Sequence, residues 1–507
     1  MNLLNKKYAI ESGLIAAEQF ALPERVLQFG TGVLLRGLPD YLIDKANKQG
    51  VFNGRIVIVK TTNSDSSDFD KQDGVFTLNE KGIDKGETVN QTTINTSISR
   101  VISANENWAA ILACAENLDI DIIISNTTEA GVVYVEEDIF ATPPQSFPSK
   151  LTAILYKRFK FVQGDGHGFV IVPTELLVNN GNILRGMVER HAERMGLEKG
   201  FINWLKTACY FCNSLVDRIV PGATPAAEKA ALEAQLGYTD NLMINSEPFL
   251  LWAIEGDDFV KETLSFTKTD SRAVVTPDIT QFREQKLRLL NGGHTISVPL
   301  AYLSGLRLVN EMMNDAVMGE FVEKVVLEEI LPTLDFDASD FAKSVLDRFK
   351  NPFIEHKLLS ITVQCSAKMN MRNGATFERY LKKFGKLPER MCLGFAAYLL
   401  FTRPVKEENG RYFGQEINQN TEGADLQQLY YPIQDDHAAF FYKIWQKTDE
   451  LDLSSLCDFV DEVLANEAIF DETLRNIPVF APRIAEMMFE MTNNGISAAL
   501  NTSYNLT

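Results

Sequence analysis

RVLQFGTGVLLRG, residues 25–37, is the stretch that decides the fold. Val26 to Phe29 form a compact apolar run, Gly30 and Gly32 interrupt it, and the residues from Val33 onward have helical potential. A strand that passes through glycines into a helix brings backbone amides to a positive helix end, the setting in which a pyrophosphate is bound. The spacing departs from GxGxxG, because position 35 is Leu35 and the next glycine is Gly37. The same glycines therefore admit a second reading, a strand-to-helix turn that needs them for its own geometry. Arg36 is either an anion contact or a solvated side chain.

Downstream, GRIVIVKTT carries Ile56 to Val59 as an unbroken β-branched run. DIDIIISNTTEAG repeats the pattern after the helical-looking ENWAAILACAENL, and GHGFVIVPTELL adds a strand over Phe169 to Val172. Apolar strands alternating with helical segments predict a doubly wound parallel sheet, buried on both faces. From about residue 275 the texture changes. Segments such as HTISVPLAYLSGLRLVNEMM and RMCLGFAAYLLFTRP place apolar residues three and four apart. Two domains are expected, an α/β domain over residues 1–275 and a mostly α-helical one over residues 276–507.

The 507-residue chain carries 49 Lys and Arg against 68 Asp and Glu, a net charge of −19. That field repels a phosphate backbone and no basic run interrupts it, so nucleic acid is not an expected partner. An anionic substrate would need its own local cations. No apolar run approaches the roughly 20 residues of a spanning helix, and MNLLNKKYAIESG lacks a secretory pattern. Cys209 and Cys212 form a lone CxxC with no second pair and no suitably placed histidine, which argues against zinc and redox roles. His167, His191, His356 and His437 lack metal-ligand spacing; His356 is read as a core or surface residue, with substrate contact left open. A cytoplasmic protein without a metal, a monomer or small homo-oligomer, is the expectation.

The second strand ends in Lys60-Thr61-Thr62-Asn63, where NAD sites usually carry an acid for the adenosine ribose. Lys60 either meets a 2′-phosphate, which keeps NADP open, or is a surface lysine. Thr127, Thr128 and Glu129 leave the third strand at the ligand-binding edge; they suit a nicotinamide ribose or a plain turn. QKLRLLNGGHTISVP holds Lys286, Asn291 and His294. At ~100° per residue these project at about 0°, 140° and 80° on a helix, within one arc. A lysine, an amide and an imidazole directed at one point suit carbonyl reduction. Gly292 and Gly293, costly in a helix by roughly 1 kcal/mol each, suggest close approach of backbone to a ligand. The alternative keeps Lys286 and Arg288 solvated, Asn291 a cap and His294 in the core.

Several of these segments together resemble the mannitol dehydrogenase family. KLRLLNGGH is similar to its K-x4-N-x2-H signature, QFGTGVLLRG to its nucleotide loop, NTTEAG to its T-x-E-x-G segment and CNSLVDRI to its N-S-x-V-D-R-I block. NTTEAG, PTELLVNNG, LNGGHT and NPFIEH most resemble family members that act on keto-hexuronates. The resemblance implies a Rossmann domain followed by a helical domain, and NAD-dependent interconversion of a keto-hexuronate and its aldonate. It implies Lys286 as general acid/base, Asn291 as the donor to the carbonyl and His294 as a hydroxyl ligand. Cofactor contacts are implied at Phe29, Gly30, Thr31, Gly32, Val33, Arg36, Lys60, Thr61, Thr127, Thr128 and Glu129.

Substrate contacts are implied at Asn213, Val216 and Asp217, and at Lys368 in CSAKMNMRNG. Arg372, four residues on, would share a helical face with Lys368 and complete a carboxylate clamp; two solvated basic residues are the alternative. Asp217 and Arg218 form an interdomain ion pair or line the site. Two departures stand out. Thr174-Glu175-Leu176 replaces the C-D-N of polyol-oxidising relatives, which removes a second polarising asparagine at Leu176, and Ser360 stands where they carry an arginine. Rival readings are a family reductase acting on mannitol, fructuronate or a sugar phosphate, and a non-catalytic nucleotide-binding regulator.

Overall fold

The computed structural model describes residues 1–127, 131–415, 430–448 and 451–504. It divides into two compact units, residues 1–82 with 88–282 and residues 83–87 with 283–507. In the first, β1 (Glu24–Phe29), β2 (Arg55–Lys60), β3 (Ile98–Ser103), β4 (Ile122–Ser125), β5 (Val170–Pro173) and β6 (Tyr210–Phe211) form one six-stranded sheet. All its pairings are parallel and the spatial order is β3-β2-β1-β4-β5-β6. Gln28 pairs with Ile58 on one side and Ile124 on the other. The chain order therefore reverses at β1, the switch point at which loops leaving the carboxyl edge part to leave a crevice. This is a Rossmann-type sheet.

Side-chain alternation explains the unbroken apolar runs. Val26, Ile56, Ile58, Ile122 and Ile124 face one side and pack with Leu42, Ile43 and Ala46. Leu27, Val57, Val59 and Ile123 face the other, with Leu151, Ile154, Leu155, Leu184 and Val188. Both faces exclude water, so no polar alternation is needed, and each buried Leu, Ile or Val contributes roughly 1.5–3 kcal/mol. The covering residues come from α2 (Pro39–Lys48), α3 (Phe147–Phe161) and α4 (Asn180–Arg194), α2 following the short α1 (Val33–Gly37). Leu38, at φ −129° and ψ −75°, breaks α1 from α2, which Pro39 opens. Between β2 and β3 lie two further strands, Phe76–Asp84 and Glu87–Asn95, in a small sheet with Ile244–Ser246.

The second unit is mostly helical. A continuous helical path runs from α5 (Thr280–Gln285) through a π-helical segment, Lys286–Gly292, into α6 (Gly293–Leu303). All of α6 is buried. Other elements are α7 (Ser339–Phe349), α8 (Cys365–Met369), α9 (Ala375–Phe384) and α10 (Glu389–Phe401). A second π-helical segment, Asn370–Gly374, joins α8 to α9. Among the described residues no helix is long and apolar enough to cross a membrane.

Candidate functional site

The carboxyl edge of the sheet carries the nucleotide signal. Gly30 has φ +122°, and a Cβ added there would lie 3.0 Å from Leu35 Cδ1 and 3.1 Å from the Asn126 carbonyl oxygen. A side chain is disfavoured on both conformational and steric grounds. A Cβ on Gly32 would meet no described atom within 4 Å, so the turn presents open backbone. Gly37 supplies the close packing expected of the third glycine in such a loop, since a Cβ there would stand 2.7 Å from Val220 Cγ2. Thr31 and Val33 are half-buried beside Gly32, whereas the Phe29 ring lies in the core against Phe147.

Two side chains sit differently from the alternatives left open above. Arg36 is buried, not solvated. Its guanidinium donates to the Leu242 carbonyl and lies over the Phe69 and Phe76 rings, so it is directed into the first unit's interior. Lys60 is also buried, at 6% exposure, which removes the surface-lysine reading; Thr61 beside it is half-buried. Thr128 and Glu129 lie outside the described residues.

Glu175, seen in the sequence only as part of a departure, organises this edge. Its buried carboxylate accepts from the Thr127 amide at 2.8 Å and from the Thr127 and Ser125 hydroxyls, each at 3.2 Å. Burial raises its pKa, and these hydrogen bonds oppose the shift. Asn126 adds donors to the Thr174 carbonyl and hydroxyl at 3.2 and 2.9 Å. The exits of β4 and β5 are thus tied together, while Leu176 next to Glu175 stands 65% exposed.

Asn213, Val216 and Asp217 are all buried in the first unit. The Asn213 amide donates to Glu255 and accepts from the Asn182 amide, and Val216 packs in the core. Arg218 pairs with Glu80 at 2.6 Å, inside the same unit, which corrects the interdomain alternative for Arg218. Cys209 and Cys212 are free and buried, with pKa values pushed up to about 12, so neither is a thiolate at neutral pH. No group of three or more His, Cys, Asp or Glu suited to a metal occurs among the described residues.

The chemical residues gather in the second unit. Lys286 opens the π segment and Asn291 stands near its end. An i→i+5 turn holds about one residue more than an α turn, so positions five apart rotate toward one face instead of ~140° from each other. Lys286 and Asn291 are half-buried, and the Asn291 amide has no hydrogen-bond partner among the described residues, so it is not spent on a cap. His294 follows in the first turn of α6, 9% exposed. Its ring stacks on Phe349, centroids 3.8 Å apart, and meets His356 edge-on at 5.5 Å. Burial first, then His356, Arg348 and Arg372, drive its pKa well below the usual value, so His294 is neutral.

The two π segments hold each other. Arg288 is buried, not solvated, and donates to the Met371 and Arg372 carbonyls, both at 2.9 Å, with Glu284 as its ion partner at 3.3 Å. A Cβ on Gly292 would stand 2.9 Å from Asn373 Oδ1, and one on Gly293 would lie 3.2 Å from Val326 Cγ2. The glycine pair thus admits close approach of neighbouring side chains. Arg372 Nη1 donates to Thr295 Oγ1 at 2.9 Å, and its buried Nε has no partner among the described residues. Lys368 Nζ donates to the Ile361 carbonyl at 3.1 Å. Burial and then the Arg372 charge lower its pKa. Among the described residues neither cation has a carboxylate within ion-pair distance. Ser360 is exposed and donates to the Lys357 carbonyl at 2.6 Å. Arg288 and Glu175 were not legible as site residues because their roles are contacts between segments distant in sequence.

Comparison with known proteins agrees with this two-part reading. Residues 24–268 match the mannitol dehydrogenase Rossmann domain and residues 278–492 the mannitol dehydrogenase C-terminal domain. The chain is 37% identical over 484 residues to an altronate oxidoreductase of Bacillus subtilis (strain 168), covering 94% of this chain and 95% of that one. An altronate oxidoreductase of Halalkalibacterium halodurans is 35% identical over 512 residues, 99% of this chain and 97% of that protein. In fold, the chain is similar to Pseudomonas fluorescens mannitol 2-dehydrogenase, solved with NAD and D-mannitol, at TM-score 0.64 and 23% identity over 99% of each chain. A substrate-free D-sorbitol dehydrogenase is similar at TM-score 0.76 and 19% identity, over 99% of this chain and 100% of that one. With both halves matched and relatives of this identity along nearly its whole length, the chain belongs to the mannitol dehydrogenase family and is a dehydrogenase acting on CH–OH groups.

Proposed function

We propose that the chain is an NAD-dependent reductase of a keto-hexuronate, converting D-tagaturonate to D-altronate and catalysing the reverse oxidation. The relatives named altronate oxidoreductase support the substrate. The observation that carries the reading is the cation pair beside the chemical residues: Arg372, bonded to Thr295 next to His294, and Lys368, whose ammonium feels the Arg372 charge. In a chain of net charge −19 such a local concentration suits an anionic sugar.

The carboxyl edge of the sheet fits a dinucleotide, because Gly30 disfavours a side chain and Gly32 presents open backbone, with no described atom within 4 Å of an added Cβ. Thr31, Val33, Thr61 and Thr127 flank that space on this reading, and Lys60 closes β2 in place of an acid. A bound nicotinamide dinucleotide supplies the hydride that adds to the keto carbon. Lys286 gives a proton to the carbonyl oxygen as negative charge develops there, and takes it back in the oxidative direction. Asn291 donates to that same oxygen, and Leu176 offers no second amide. His294 holds a neighbouring hydroxyl, and Lys368 with Arg372 holds the carboxylate.

Oxidation of NADH and NADPH against a panel of keto-hexonates, neutral ketoses and their phosphates tests the reading. Highest kcat/KM with a keto-hexonate and NADH is expected; preference for a neutral or phosphorylated ketose overturns the substrate assignment.

A further inference from the structure

His356 has a place in the site that the reaction above does not use. It lies 62 residues beyond His294 in sequence, yet its ring meets that of His294 edge-on with centroids 5.5 Å apart. The backbone pins it there: the Val309 amide donates to the His356 carbonyl at 2.9 Å, and Leu308 and Lys357 form an isolated β-bridge. His294 is backed by Phe349 on one face and meets His356 as its polar ring neighbour. Half-buried His356 has no side-chain hydrogen bond among the described residues, which leaves its ring nitrogens available.

We propose that His356 is a second substrate-binding imidazole, which hydrogen-bonds a chain hydroxyl near the one held by His294 and selects the configuration at the carbon bearing it. This inference rests on the reading of His294 as a hydroxyl ligand. A hydroxyl is favoured over a carboxylate by matching chemistry. A neutral imidazole has one donor and one acceptor, as an alcohol does, whereas a carboxylate only accepts. Burial, then the charge of Arg348, lowers the His356 pKa and keeps the ring in that neutral form. Two neutral imidazoles 5.5 Å apart thus fit two hydroxyls of one polyhydroxy chain. A wrong epimer would leave an N–H or a ring nitrogen without a partner, which disfavours its binding.

The test compares His356→Phe, which keeps an aromatic edge against His294, and His356→Gln, which keeps a donor and an acceptor, with the unaltered enzyme. Each is assayed with NADH on the keto-hexonate and on analogues lacking one chain hydroxyl at a time. His356→Phe is expected to raise KM for the parent by about 3- to 10-fold, the worth of one neutral hydrogen bond, with kcat within about twofold. One deoxy analogue should be indifferent to the substitution, and His356→Gln should recover part of the loss. An unchanged parent KM, or equal KM changes on the parent and every analogue, overturns the proposal. Should His356→Phe fail to fold in a thermal melt, His356→Gln decides by the same profile: a change confined to one hydroxyl supports the proposal and a uniform change overturns it. If the unaltered enzyme prefers a neutral ketose, the keto-hexuronate reading fails separately, and the same criteria apply to the deoxy series of that ketose.

Discussion

Arg372 donates to the hydroxyl of Thr295 at 2.9 Å, so the second π segment is fastened to the turn of α6 that carries His294. Two segments joined by a bond spanning 77 positions are thereby held together, and Arg288 also bonds to the Met371 and Arg372 carbonyls. π turns are costly irregularities in helices and frequently mark functional sites. Here they carry the proposed proton donor and, in Arg372, one of the two cations of the proposed anion clamp.

Lys286→Ala should lower kcat by about 10²- to 10⁴-fold, the usual worth of a general acid/base. NADH affinity, read by fluorescence titration, should change little, since the dinucleotide is assigned to the first unit. Near-native turnover by this variant would refute the assignment.

Lys368→Ala should raise KM for the acidic sugar by roughly 10- to 100-fold, as expected for a hydrogen bond to a charged group. A neutral ketose of the same length should be affected far less. Steady-state kinetics on the two substrates checks this, and equal effects would count against a carboxylate contact.

Gly30→Ala should destabilise the protein by about 1–3 kcal/mol, because φ is +122° and the added methyl meets Leu35 and the Asn126 carbonyl. Dinucleotide affinity should fall with it. Thermal melts with and without NADH measure both effects, and the midpoint rise on adding NADH should shrink in the variant.

Asp40 offers a test through pH. It is fully buried beneath the nucleotide loop, 3.5 Å from the Gln28 amide nitrogen, and burial raises its pKa to about 8, with the Arg36 charge opposing. The native state therefore holds a proton that the unfolded state has lost above about pH 4. Stability through this group is greatest below that pH and declines as pH rises toward 8. Asp40→Asn mimics the protonated acid, so its unfolding midpoint should decline less between pH 5 and 8 than that of the unaltered protein. Identical pH profiles would show that Asp40 is ionised in the fold.

Local pattern carried much of this. β-branched runs at Ile56 to Val59 and Ile122 to Ile124 announced strands covered on both faces, because such runs are stable only where neither face meets water. The order of Lys286, Asn291 and His294 along one helical path was also legible. Their mutual orientation was not, since an ideal α-helix holds Lys286 and Asn291 about 140° apart and the π segment turns them together. Arg36 and Lys60 looked solvent-compatible because charge usually means exposure; in the fold both are buried.

Composition and motif order thus specify a dinucleotide-type sheet, a helical partner and the chemical residue types, since these depend on periodicity and on neighbours a few positions away. Long-range contact specifies the rest: Glu175 spanning the exits of β4 and β5, Arg288 locking two π segments, and His356 beside His294. Each of these joins positions dozens of residues apart, and no local periodicity encodes a distance that exists only after the chain has closed on itself.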